Sequence, residues 1–263
     1  MELIHDRYGP DPGPEQRPLI ILHGLFGSAR NWQALAKRLG QTRPVIVPDL
    51  RNHGRSPHAA TMTYDALATD VAQLMDAIGT ETADIVGHSM GGKVAARLAL
   101  TDPGRVNRLV VVDIAPVSYP ERGFGHYIQA MRDVPLTAVF KRRDADDALA
   151  QAIPDRAIRG FLLQNLAVSP EGAAWRPNLD AIETALPQLY AFPDSDHLTP
   201  FAGPTLFLAG DRSDYITPAM RDTIRALFPH ARVAAIKGAG HWVHADQPEA
   251  FLTAVEQALT VAA

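Results

Sequence analysis

The stretch Gly87-His88-Ser89-Met90-Gly91 decides the fold, because it fits the pattern G-x-S-x-G of a nucleophile elbow. In such an elbow a serine sits on a sharp turn between a strand and a helix, and the flanking glycines let backbone segments approach closely. Residues 83–86 form a short apolar run typical of a buried strand, and residues 92–100 have the apolar spacing of a helix. We therefore predict a strand, a nucleophilic Ser89 on a turn, and a helix, in that order.

Strands and helices alternate on both sides of the elbow. Apolar runs predict further buried strands at residues 19–22, 44–48, 109–112, 205–208 and 232–236. This alternation predicts an α/β fold with a doubly wound, mostly parallel sheet, in which ligands bind beyond the carboxyl ends of the strands.

The alternation stops from about residue 116 to residue 200. Prolines are frequent there, no strong strand is visible, and the apolar residues have helical spacing. We therefore predict that residues 1–115 and 201–263 form the core of the fold, and that residues 116–200 form an inserted helical cap.

Composition excludes several classes of function. The chain has 263 residues, with 25 basic and 29 acidic side chains, a formal net charge of −4 and no polybasic run, so we expect no nucleic-acid partner. It contains no cysteine, which excludes disulfides, thiol catalysis and cysteine metal sites. Neither a signal peptide nor a membrane-spanning run is visible, so we expect a cytoplasmic protein without a membrane partner.

A loop rich in glycine, His23-Gly24-Leu25-Phe26-Gly27, follows the first apolar strand. Taken alone it is equally well explained as a simple turn between strand and helix. Beside a nucleophilic serine, however, such a loop can offer backbone N–H groups to a developing oxyanion. We predict that the N–H groups of Leu25 and Met90 are the two donors.

A serine nucleophile needs a base, because a free hydroxyl attacks weakly. His241, in Gly238-Ala239-Gly240-His241-Trp242, follows a predicted strand near the carboxyl end of the chain and is the best candidate. His244 is a lesser candidate, with a structural role as the simpler interpretation.

Two aspartates compete to orient that base. Asp113 ends the strand at residues 109–112, and Asp214 follows the strand at residues 205–208. Either one preserves the chain order Ser, Asp, His, and either could also be an ordinary strand-end or turn residue. The residues alone leave both open.

Several motifs together resemble the α/β-hydrolase fold. They are His23-Gly24, Asp49-x-Arg51-x-x-Gly54-x-Ser56, the elbow, and Gly240-His241. More narrowly, the stretches 112–116, 87–93 and 238–245 resemble a group of small bacterial esterases that is similar to a mitochondrial α/β-hydrolase-domain protein. This resemblance implies carboxylic-ester hydrolysis, a helical cap, no cofactor, and an acid at the Asp113 position. The chain departs from that group by carrying Asp214, where many other α/β hydrolases have their acid.

The motifs and the resemblance together predict a serine hydrolase that cleaves small-molecule carboxylic esters of small or medium acyl groups through an acyl-enzyme intermediate. Its predicted triad is Ser89, His241 and Asp113, with Asp214 as the alternate acid, and neither a metal nor a cofactor is expected. A thioesterase or a carbon–carbon bond hydrolase would use the same triad, and a non-catalytic binding protein on this fold is the remote alternative. The sequence does not reveal the oligomeric state.

Overall fold

A twisted sheet of seven strands organises the described part of the chain, which in this computed structural model comprises residues 1–11, 16–170, 172–195 and 197–260. Its strands are β1 (His5–Tyr8), β2 (Leu19–Leu22), β3 (Val45–Pro48), β4 (Ala83–His88), β5 (Val106–Val112), β8 (Thr205–Gly210) and β9 (Ala231–Ile236). Their order is β1-β3-β2-β4-β5-β8-β9, and every pair is parallel except β1 with β3. The predicted mostly parallel sheet is confirmed, whereas the antiparallel edge strand β1 was not predicted.

Helices cover both faces of this sheet. They are α1 (Gln33–Leu39), α2 (Tyr64–Ala77), α3 (Met90–Thr101), α8 (Arg221–Leu227), α9 (Val243–Asp246) and α10 (Pro248–Thr260). Strand β2 shows the double winding directly, because Ile20 and Leu22 pack into one hydrophobic cluster while Leu19 and Ile21 pack into the other. The first cluster includes α2 and α3, and the second includes α1 and α10.

The register of the parallel strands brings their carboxyl ends to one edge. Gly87 of β4 lies opposite Leu22 of β2, and Val112 of β5 lies opposite both His88 and Leu208. The residues that follow these strands are therefore neighbours, although they are far apart in the chain. The candidate site is assembled at this edge.

The stretch predicted as a cap is mainly helical in its described residues, which exclude 171 and 196. It contains α4 (Phe124–Arg132), α5 (Arg142–Leu149), α6 (Arg156–Leu162) and α7 (Leu179–Tyr190). It also contains a short antiparallel hairpin of β6 (Leu166–Ser169) and β7 (Gly172–Trp175), where the sequence had predicted no strong strand. The last three residues of the predicted core, 261–263, likewise lie outside the described residues.

Candidate active site

Ser89 lies on the turn between β4 and α3, with backbone angles φ 52° and ψ −120°. This left-handed conformation is strained for a residue with a side chain, and such strain is typical of functional turns. The tightness of the turn also explains why Gly87 and Gly91 must be glycines. A Cβ at Gly87 would lie 2.2 Å from the carbonyl oxygen of Gly91, and one at Gly91 would lie 2.4 Å from that of Leu22. The elbow can therefore form only because these two positions lack side chains.

His241 lies between β9 and α9, directly above Ser89. Its Nε2 is 3.1 Å from Oγ of Ser89, and its Nδ1 is 2.8 Å from Oδ2 of Asp113. The imidazole also stacks on the ring of Tyr215, with ring centroids 4.0 Å apart and planes 21° apart. These contacts hold the ring in the orientation that a general base for the serine requires.

Asp113 follows β5 and is completely buried. Its Oδ1 accepts a hydrogen bond from the backbone N–H of Gly210, and its Oδ2 accepts one from the hydroxyl of Ser213 as well as contacting His241. Its φ of 50° is a left-handed value that aspartate tolerates better than most residues. A buried carboxylate with several donors keeps one fixed orientation.

Asp214 lies elsewhere. Its side chain is 72% exposed and forms two hydrogen bonds, of 2.8 and 2.9 Å, with Nη1 of Arg122. The Arg122 guanidinium in turn lies over the ring of Tyr215, 4.4 Å from its centroid. The structure thus brings Ser89, His241 and Asp113 together, and it places Asp214 in a surface ion pair.

The two predicted oxyanion donors flank the serine. Met90 is the first residue of α3, so its N–H belongs to the helix-start groups that have no carbonyl partner within the helix. Leu25 follows Gly24, where a Cβ would lie 3.3 Å from Cβ of Ser89. Both residues line the cavity at Ser89, so their positions suit the predicted role.

Two neutral histidines hold the predicted oxyanion loop, residues 23–27. Nε2 of His53 accepts a hydrogen bond from the N–H of Phe26, and Nε2 of His23 accepts one from the N–H of Leu50. In each ring Nδ1 lies within 2.9 Å of a backbone carbonyl, to which it must donate. Burial lowers the pKa of His23, and burial together with the neighbouring His23 lowers the pKa of His53 to about 3. Each ring therefore carries one proton on a defined nitrogen near neutral pH.

Two more buried histidines lie beside the candidate base. Nε2 of His88 is 2.8 Å from the backbone carbonyl of His241 and must donate to it, which positions the loop that carries the base. Burial lowers the pKa of His88 well below its usual value and that of His244 to about 3. His244, the lesser candidate for the base, stacks on Trp32 with ring centroids 4.2 Å apart.

Sequence reasoning missed the residues that support the predicted triad. Ser213 and Tyr215 lie in the loop after β8, where only the aspartates had been considered, and His88 lies inside the elbow motif itself. Lys93, one turn into α3, is also buried, and its Nζ donates to the backbone carbonyls of Tyr190 and Ala191 at 3.0 and 2.7 Å. The available signal for Lys93 was a charged residue directly after the glycines of the elbow, in a helix of mostly small or apolar residues.

Two cavities meet at Ser89. The smaller, of about 30 Å³, lies between α3 and the carboxyl end of α7. The larger is a cleft of about 970 Å³ between α1, α6 and the loop of His241. Among the described residues, no group of three or more histidine, aspartate or glutamate side chains is arranged to hold a metal ion.

Comparison with known proteins agrees with the fold. The profile of the α/β-hydrolase fold family matches residues 17–248. The chain is 43% identical over 263 aligned residues to the sn-1-specific diacylglycerol lipase ABHD11 of Xenopus tropicalis, covering 97% of this chain and 81% of that one. It is 36% identical to the esterase YbfF of Escherichia coli K12, covering 92% of each.

A solved structure described as a marine microorganism esterase superimposes with a TM-score of 0.92. It is 35% identical in sequence, and the match covers 97% of this chain and 98% of that one. The chain therefore belongs to the α/β-hydrolase fold family.

Proposed function

We propose that this chain, an ester hydrolase of the carboxylesterase type, cleaves its substrate through an acyl-enzyme on Ser89. One observation carries the proposal. The oxygen of Ser89, the two nitrogens of His241 and a carboxylate oxygen of Asp113 form a continuous line with gaps of 3.1 and 2.8 Å. The esterase and lipase relatives support the same reaction class.

The geometry supports a two-step reaction. His241 Nε2 accepts the proton of the Ser89 hydroxyl while Oγ attacks the ester carbonyl, and the new oxyanion faces the N–H groups of Leu25 and Met90. The imidazolium that forms is stabilised by Asp113 and then donates its proton to the leaving alcohol. Water, activated by the same imidazole, next attacks the acyl-enzyme and releases the acid and free Ser89.

The described helices of residues 116–200 support the proposed cap over this site. Phe161 and Leu162 of α6 line the cleft, while Leu189 and Tyr190 of α7 line the small cavity. Asn165, which follows α6, donates to the backbone carbonyl of Phe26 in the oxyanion loop at 2.7 Å. These contacts support a position of the stretch on both sides of Ser89.

The expected setting of the reaction stays a proposal. We propose a cytoplasmic protein that acts on a small-molecule ester and has no membrane partner. We also propose that it has no nucleic-acid partner, which the net charge of −4 supports. No helix among the described residues is long and apolar enough to cross a bilayer.

A fluorophosphonate reagent tests the nucleophile directly, because it labels activated serines. The wild type should be labelled and should hydrolyse an aryl acetate, whereas Ser89→Ala should lose labelling and about 10⁶-fold in kcat. Ser118→Ala, at an exposed serine, is the matched control and should behave as wild type. If Ser89→Ala is still labelled, Ser89 is not the nucleophile. The same conclusion follows if the variant keeps more than about a tenth of wild-type activity, because loss of even one oxyanion donor lowers the rate by more than that.

A further inference from the structure

The two cavities at Ser89 differ greatly in size and in their walls. They meet at five residues that line both: Leu25, Ser89, Arg122, Phe124 and Tyr215. Within the described residues, His241 and Trp242 line the large cleft and are absent from the walls of the small cavity, which contain Met90 and Lys93 instead. An ester has two arms on either side of the ester bond, the acyl chain and the alcohol group. Each arm must occupy one of these two spaces.

The proton transfer decides which arm goes where. His241 Nε2 takes the proton from Ser89 Oγ and must then deliver it to the oxygen of the leaving alcohol, at hydrogen-bonding distance. That oxygen must therefore lie on the side of His241, which is the side of the cleft. The acyl chain extends from the same carbonyl carbon in the opposite direction, past Met90 and into the small cavity.

The small cavity has room for very little. At about 30 Å³ it holds roughly two water-sized groups. A space of this size favours the carbon chain of an acetyl or propionyl group over that of a hexanoyl group.

Tethers between core and cap keep this cavity from widening. The buried Lys93 ammonium donates to the last carbonyls of α7, and the hydroxyl of Tyr64 donates to the carbonyl of Leu189 at 2.8 Å. These bonds fix the carboxyl end of α7 against α2 and against α3, the helix that follows Ser89. A longer acyl chain would have to break them to make room.

The cleft is suited to a large apolar group. Its volume is about 970 Å³, and its walls include the indole of Trp32 and the paired rings of Phe161 and Trp242, whose centroids are 5.4 Å apart. Pockets of this size and apolar character bind organic groups of many atoms.

From these observations, and resting on the proposed function, we propose that the enzyme selects esters by an asymmetric rule: a short acyl group of two or three carbons and a bulky apolar alcohol. The acyl group occupies the cavity beside Lys93, and the alcohol occupies the cleft beside His241.

Two isomeric esters test this rule, because they have the same atomic composition and differ only in the side of the ester bond that carries the long chain. Hexyl acetate and ethyl hexanoate have the same formula, with the long chain on the alcohol side or on the acyl side. We expect kcat/KM to be at least about 10-fold higher for hexyl acetate, since even one methylene beyond a pocket's capacity costs that much. Equal values, or a preference for ethyl hexanoate, would overturn the proposal.

Ethyl acetate separates this inference from the proposed function, because both of its arms are short. Hydrolysis of ethyl acetate together with a preference for ethyl hexanoate overturns only the asymmetric rule. If none of the three esters is hydrolysed, the proposed function itself fails, and the rule with it. Acid release in a pH-stat measures all three reactions in the same way.

Two matched substitutions locate the acyl side. Leu189→Ala enlarges the small cavity and should narrow the preference for hexyl acetate over ethyl hexanoate by about 10-fold, the worth of one or two methylenes. Leu186→Ala makes the same change at a buried leucine of α7 that lines neither cavity, and it should leave that ratio within about 2-fold of wild type. If a folded Leu189→Ala leaves the ratio unchanged, the acyl chain does not occupy the small cavity and the assignment of the two arms is wrong. The wild-type comparison of the isomers stands even if Leu189→Ala fails to fold.

Discussion

At the scale of single residues, the two candidate acids differ in what surrounds them. Asp113 is buried and holds Nδ1 of His241 at 2.8 Å, whereas Asp214 is exposed and paired with Arg122. A buried carboxylate can select the imidazole tautomer, because it accepts only a proton carried on Nδ1. An exposed ion pair with another partner has no such influence.

We expect Asp113→Asn to lose about 10³–10⁴ in kcat, because the amide would donate to Nδ1 and favour the wrong tautomer. Asparagine tolerates the left-handed backbone at this position, so the variant should fold. Asp214→Asn is the matched control and should lose less than about 5-fold, as expected for an exposed ion pair. Steady-state hydrolysis of an aryl acetate measures both. Reversed losses would make Asp214 the acid.

The two candidate acids, Asp113 and Asp214, show how much of the site the sequence could predict. Ser89 and His241 could be predicted because short motifs surround them, and short motifs report local backbone geometry. The choice between the aspartates depends instead on contacts made across about a hundred residues. Gly210 and Ser213 hold Asp113, and Arg122 captures Asp214. Such long-range contacts leave no mark in a local pattern, so the residues alone kept both alternatives.

At the scale of secondary-structure elements, apolar periodicity predicted the buried strands and missed those with little apolar content. Strand β1 has the sequence His5-Asp6-Arg7-Tyr8 and pairs at the edge of the sheet, so it needs no apolar run. The hairpin of β6 and β7 is likewise short and partly exposed. These strands form because their backbones pair with a neighbouring strand. Apolar periodicity in the sequence does not reveal such pairing.

Helix α3 carries a buried charge that should be visible in stability. Burial lowers the pKa of Lys93 to about 7, and its partners are carbonyls and the rings of Tyr64 and Tyr119 rather than carboxylates. Between about pH 7 and the ordinary lysine value of ~10.4 the unfolded chain binds more protons than the folded chain. The free energy of unfolding should therefore rise with pH across this window, by up to about 1.4 kcal/mol per pH unit.

Urea unfolding of Lys93→Met against wild type measures this contribution. The difference in unfolding free energy should grow in favour of wild type from pH 7 to pH 9. Arg97→Met is the matched control one turn along α3, since arginine stays charged throughout this range and its difference should stay constant. A constant difference for Lys93→Met would show that its ammonium keeps an ordinary pKa.

At the scale of the whole molecule, four buried histidines connect stability to acidity. His23, His53, His88 and His244 are all buried, and burial lowers the pKa of each. Protonation would break the hydrogen bonds that His23 and His53 accept from the N–H groups of Leu50 and Phe26. The histidines that shape the site thus make the folded state sensitive to acid.

We expect steep, cooperative acid unfolding as a result. Below the ordinary histidine pKa of ~6.5 these four histidines bind protons in the unfolded chain but stay neutral in the folded chain. The free energy of unfolding therefore falls as the pH falls, by up to about 5 kcal/mol per pH unit if all four contribute. A domain stable by 5–15 kcal/mol should then unfold before the pH falls to about 3. Circular dichroism across an acid titration measures the midpoint, and a protein still folded at about pH 3 would contradict this expectation.

The substitution His244→Phe measures the contribution of a single histidine, His244, to this acid sensitivity. Phenylalanine keeps an aromatic ring stacked on Trp32 and cannot be protonated. Among the described residues, Nδ1 of His244 has no hydrogen-bond partner, so the substitution removes no bond there. The unfolding free energy of the variant, followed by urea titrations from pH 7 to pH 5, should fall less steeply than wild type by about 1.4 kcal/mol per pH unit, the worth of one proton. Parallel slopes would mean that His244 titrates in the folded protein as it does in the unfolded chain, and that the acid sensitivity of the fold comes from the other three rings.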